Sequence, residues 1–318
     1  MSKAVSLTID GTNVLKGIAI VAVVLIHVLS SIQPSPFLAD PLTSLIVVAL
    51  DQVSRICVPL FVALSGYGLF QQYTQKKQSY GVFLTKRIKK LAPLYLVWSG
   101  IFYVVFAFIP SWGSQTVQPS FLGQLLMGRA DYHLYFVPMI LQLYMVFPLI
   151  ARAYKKRPVV TLLAAFLIQV VWWWVYSYGD RRVVTTQYFL EDREQYLWMT
   201  NWIAYFVLGM HLPKMWAWIS THALHFYYVA VFATVSTLLV VFDAFTAIQS
   251  GIDPLFALKF TRYPVLVYSL VAILLISYSV ARKSRQMPLL TWLGQNSYQI
   301  YLGHTLVLRF VFMLVYML

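Results

Sequence analysis

The stretch "LKGIAIVAVVLIH", residues 15–27, is apolar except for a lysine near its start and a histidine at its end. It belongs to an apolar run over 13–33. Such a run is long enough to cross a bilayer as a helix, which takes roughly 20 residues. The composition carries that reading to the rest of the chain. Of 318 residues, 60% are hydrophobic and 11% charged, where soluble domains carry about a quarter charged residues. The chain therefore reads as an integral membrane protein, and its length counts helices rather than soluble domains.

Working outward, further spans fall at 43–70, 91–110, 132–151, 159–177, 196–213, 223–243, 262–281 and 296–318, which predicts an all-α polytopic transmembrane bundle of about nine to ten spans in one domain over 1–318. The net charge is +14, from 24 Lys+Arg against 10 Asp+Glu. The basic residues punctuate the spans, so they report topology rather than a nucleic-acid surface. Lys3 and Lys16, the loop cluster Lys76, Lys77, Lys86, Arg87, Lys89 and Lys90, then Arg152, Lys155, Lys156 and Arg157, Lys214, and finally Arg282, Lys283 and Arg285 all fall on one side. That side holds 16 basic residues and one acid, Asp10. The other holds Asp40, Asp131, Asp180, Glu191, Asp192, Glu194 and Asp253. The positive-inside rule places the amino terminus in the cytoplasm of a multi-pass plasma-membrane protein. No small-residue cleavage site follows the first run, so it reads as a span and not a signal peptide. Cys57 is the single cysteine. No intramolecular disulfide and no multi-cysteine metal site can form, and no HExxH, CxxC or GxGxxG pattern occurs.

Ionisable groups inside spans are costly and default to function. Lys16 and His27 are 11 residues apart, about 20° from eclipsed, so they share a face of the first span. Lysine can snorkel to water; His27, roughly 9 Å below the outer end, cannot do so easily. Asp51 and Arg55 are i,i+4 neighbours at a similar depth of the second span. A self-neutralising pair beside a carbonyl-bound histidine is the plainer reading; a catalytic constellation of His27, Asp51 and Arg55 is the sharper one. "FLTKRIKKLAP" (83–93) puts Arg87 and Lys90 on one face at the start of the third span, where free N–H groups and the helix dipole favour phosphate. Ordinary anchoring accounts for the same residues. "LGQNSYQIYLGH" (293–304) sets Asn296, Ser297, Tyr298, Tyr301 and His304 along the last span, as packing glue or as a substrate wall. "YHLYFVP" (132–138) sets His133 and Tyr135 at the outer interface, where an aromatic belt is the ordinary outcome. His211, His222 and His225 read as interfacial.

Together, "NVLKGIAIVAVVLIH", "VPLFVALSGYGLF", "FLTKRIKKLAPLYL", "YHLYFVP", "YFVLG" and "LGQNSYQIYLGH" resemble, in order and over almost the whole chain, the acyltransferase-3 family of polytopic membrane acyltransferases. The sequence is similar to its stand-alone members, without a fused hydrolase-like domain. The resemblance implies transfer of an acyl group, often acetyl, from an acyl-CoA co-substrate to a hydroxyl of a carbohydrate or other cell-surface molecule. It implies that His27 is catalytic and that the basic pair Arg87 and Lys90 handles the donor, with Lys16 standing where the family usually has arginine. The usual pair is two arginines; lysine at 90 keeps the charge and loses bidentate phosphate binding.

The chemistry then assigns roles. A neutral imidazole at His27 takes the acceptor hydroxyl's proton as the alcohol attacks the thioester. Asp51 is suited to hold the ring's tautomer. Arg55 either pairs with that carboxylate or stabilises the developing oxyanion. Direct attack and an acyl-histidine intermediate both satisfy the residues; direct attack is the simpler. His133, Tyr135, Asn296, Ser297, Tyr301 and His304 are the candidates to meet the acceptor. No bound cofactor and no metal is expected; the expected partners are the lipid bilayer, the acyl-CoA donor and the glycan acceptor. The alternative is a transporter or flippase exporting a glycan or lipid-linked sugar, which intramembrane charges also serve.

Overall fold

The computed structural model describes residues 5–32, 40–75, 79–112, 120–175, 194–283 and 287–317. Lys3, Lys76, Lys77, Arg285, Asp180, Glu191 and Asp192 of the charge reading lie outside them. The protein is all-α, with no strand among the described residues. The helices are α1 (Ile9–Ile32), α2 (Pro41–Ser54), α3 (Cys57–Gln75), α4 (Tyr80–Phe108), α5 (Phe121–Met127), α6 (Phe136–Lys156), α7 (Pro158–Trp173), α8 (Ile203–Thr221), α9 (Ala223–Gln249), α10 (Pro254–Ala257), α11 (Tyr263–Arg282), α12 (Pro288–Gln295) and α13 (Ser297–Met317). Among the described residues, seven helical stretches are long and apolar enough to cross a membrane, α2 and α3 counting as one stretch. The other two expected spans correspond to α7, which is shorter, and α8, which begins later than expected because 194–201 form 3-10 turns.

Two departures from the expected spans have local causes. The run 43–70 breaks at Arg55–Ile56. Pro59 has no N–H for the Arg55 carbonyl and its ring crowds that carbonyl, which weakens the helix there. Tyr268 in α11 donates its hydroxyl to the Val53 carbonyl at 2.7 Å, satisfying an acceptor at the end of α2. In the other case α4 starts well before 91, because "FLTKRIKK" is itself helical and carries the basic residues on the helix.

The chain forms two compact units, Met1–Leu69 with Leu208–Tyr301 and Phe70–Val207 with Leu302–Leu318. In the first, α12 lies against the start of α1 so closely that a Cβ on Gly17 would strike the Leu290 backbone and one on Gly294 the Asn13 backbone. Gly209 of α8 meets the Ala63 backbone of α3 in the same way. Small residues bring helices together like this where apolar burial offers no drive between them. Val48, Ala244, Ile248, Ala257 and Leu258 form a buried apolar cluster where α2, α9 and α10 meet.

In the second unit α4 packs on α6 through Phe83 and Phe147, whose centroids are 5.5 Å apart. Arg157–Pro158 joins α6 to α7: proline disfavours helix at the residue before it and starts the next helix well. The buried Gln169 of α7 accepts from Ala204 N at 3.0 Å, capping an otherwise free donor in the first turn of α8. After α5, Gly128 adopts φ 65°. The left-handed turn and the Tyr135 backbone beside it leave no room for a side chain there. That turn leads into 128–135, a non-helical segment packed against α13.

Candidate functional site

In the first unit, α1 is unbroken, so Lys16 and His27 keep the shared face that their spacing predicts, and both are half-buried. Asp51, 0% exposed, receives Arg55 Nε at 2.9 Å and Nη2 at 2.8 Å, one on each carboxylate oxygen. Gln52 Nε2 donates to the same carboxylate at 3.0 Å. The Arg55 guanidinium lies 4.6 Å from the Phe260 ring centroid. A further strand of the network runs through Arg262, which pairs with Asp243 and donates to the Ala257 carbonyl and to Gln52 Oε1. Two charge-assisted bonds, the strong kind, hold Arg55 on Asp51. The pair sits at the α2–α3 break.

In the second unit, Arg87 at the start of α4 lies against an aromatic ring. Arg87 lies 5.5 Å from the Phe83 centroid and donates to Gln72. Its Nε is buried with no hydrogen-bond partner among the described residues. Buried donors are normally satisfied, so this one stands out. Lys90, Lys86 and Lys89 are exposed. Lys155, in the last turn of α6, lies 4.5 Å above the Tyr73 ring.

The segment 128–135 brings a second polar group together. His133, buried, faces the Leu302 carbonyl through Nε2 at 3.3 Å and Asp131 Oδ2 through Nδ1 at 3.3 Å. Thr305 Oγ1 donates to Asp131 Oδ2 at 2.7 Å. Arg309 grips both Asp131 oxygens, at 2.7 and 2.8 Å. The His304 ring stands edge-on to His133 at 4.9 Å, and Phe102 completes the wall at 5.6 Å. The buried Asp131 carboxylate thus meets Arg309, Thr305 and His133 at once. Leu302, Thr305 and Arg309 lie along the body of α13, not at its tip. The "YHLYFVP" segment therefore reaches in along that helix. Non-helical backbone at such depth is tolerated where protein buries it or where it lines a cavity.

Of the six residues expected to meet an acceptor, the structure brings His133 and His304 together. Tyr135 stands apart, near-parallel to Trp202 with centroids 6.4 Å apart. Asn296 donates back to the Trp292 carbonyl at 2.9 Å, and Ser297 and Tyr301 are buried at the start of α13 within the first unit. Two residues of the polar group, Thr305 and Arg309, carry no local signal in the sequence. An arginine inside the last apolar span was the one available hint. Among the described residues no three His, Cys, Asp or Glu side chains are placed to hold a metal ion.

A family model described as an acyltransferase domain matches residues 9–318. No curated protein and no solved structure matches the chain. Every motif quoted from the sequence lies inside the matched range, and the chain belongs to the acyltransferase-3 family.

Proposed function

We propose that this membrane acyltransferase moves an acyl group, acetyl as the family default, from acyl-CoA at the cytoplasmic side of the plasma membrane to a hydroxyl of a carbohydrate or other cell-surface acceptor. The observation that carries the reading is the acyltransferase-domain match over residues 9–318. His27 is the general base: its imidazole takes the hydroxyl proton as the alcohol oxygen bonds to the thioester carbon, and CoA leaves with its sulfur. Asp51 and Arg55 form the charged joint of α2 and α3 in the unit that contains His27. Arg87, whose Nε is buried with no hydrogen-bond partner among the described residues, handles the donor phosphates with Lys90. His133 and His304 stand on the acceptor's side of the reaction. Tyr135, Asn296, Ser297 and Tyr301 shape the surroundings.

The alternative, export of a glycan or lipid-linked sugar, draws support from the break between α2 and α3, since discontinuous helices mark many transporter sites. The two part in one assay. Purified protein in detergent is incubated with labelled acetyl-CoA and a panel of glycans. Release of CoA that depends on the glycan, with label appearing on the glycan, supports the transferase. Vectorial movement of glycan in vesicles without CoA release overturns it.

A further inference from the structure

Arg309 is used by none of the steps above. Its two bonds to Asp131 take two of the five guanidinium N–H groups. The other three meet no described residue. The guanidinium carbon lies 5.0 Å from the Phe106 centroid and 5.6 Å from that of Tyr132. The Arg309 side chain is 21% exposed and Tyr132 39% exposed. A planar cation, neutralised along one edge, thus offers N–H groups along the other beside an accessible ring.

The charge balance selects the ligand. A phosphate or carboxylate gains less here than at an unpaired cation, because Asp131 already balances the guanidinium charge. A neutral ring bearing hydroxyls needs no net charge there. Its oxygens accept from the guanidinium, and its C–H face lies on the aromatic ring. We propose that Arg309, Tyr132 and Phe106 form a docking site for a neutral carbohydrate ring of the acceptor, backed by Asp131 and His133. That the ring is an acceptor rests on the transferase reading; that it binds does not.

The test uses full-length protein in lipid nanodiscs. Saturation-transfer NMR follows the methyl α-pyranosides of glucose, galactose and mannose, with methyl glucuronate as the anionic counterpart. Neutral glycosides are expected to bind at least about tenfold tighter than the uronate. Arg309→Lys and Tyr132→Leu are each expected to weaken that binding about five- to tenfold, the worth of a hydrogen bond or a ring contact. Acetyl-CoA affinity stays within about twofold in both variants, which shows that the protein is folded. Tyr132→Leu alters an exposed side chain and serves if Arg309→Lys does not fold. Failure of all three neutral glycosides to bind, preference for the uronate, or unchanged binding in folded variants overturns the site. Glycoside binding with these losses, but no acyl transfer from acetyl-CoA, supports the docking site and overturns the transferase reading.

Discussion

In the proposed reaction His27 bears the proton chemistry, and its replacement is the sharpest residue-scale trial. His27→Ala is expected to lower acyl transfer by about 10²- to 10⁴-fold, the usual contribution of a general base, while membrane insertion and acetyl-CoA binding persist. Arg87→Ala is expected to raise the KM for the donor about tenfold or more with kcat little changed, the cost of a charge-assisted bond made in both ground and transition states. Initial rates across donor and acceptor concentrations check both. Asp131 gives a stability prediction. Removing one partner of a buried pair costs about 3–5 kcal/mol, so Asp131→Ala should lower the thermal midpoint in detergent clearly. The i,i+4 spacing makes the Asp51–Arg55 pair legible in the sequence, because helix geometry is local. Asp131 and Arg309 are 178 residues apart, and no periodicity links them.

At the scale of elements, the apolar runs make nearly every long helix legible, because backbone in hydrocarbon must bond within its own segment. What escapes is interruption. Pro59 is visible in the sequence, yet Pro93, Pro148 and Pro213 lie inside unbroken helices, so a proline alone does not announce a break, and the contact of Tyr268 with the Val53 carbonyl is tertiary. The inward reach of 128–135 is equally a tertiary matter. The close crossing of α1 and α12 gives a paired prediction. Gly294→Val drives a side chain into the Asn13 backbone and should cost about 1–3 kcal/mol or more. Gly68→Ala in α3 meets nothing within 4 Å and should be neutral or stabilise by up to about 1 kcal/mol through helix propensity. Thermal unfolding in one detergent compares the two, and equal losses in both would remove the packing argument.

For the whole molecule, charge sets the orientation. The 16-to-one basic asymmetry of the expected inner side predicts that a reporter active only in the cytoplasm works when fused at the amino terminus or in the α6–α7 joint, and fails in the segment between α9 and α11. Each compact unit is assembled from two stretches separated in sequence, Met1–Leu69 with Leu208–Tyr301 and Phe70–Val207 with Leu302–Leu318. On the ribosome this fixes an order of events. Asp131 leaves the exit tunnel long before Arg309 exists, so the nascent chain must shelter a carboxylate whose counter-ion is still untranslated. A stop codon anywhere before 309 would leave that acid stranded, and quality-control proteases, rather than a failed reaction, would be the first to register the loss.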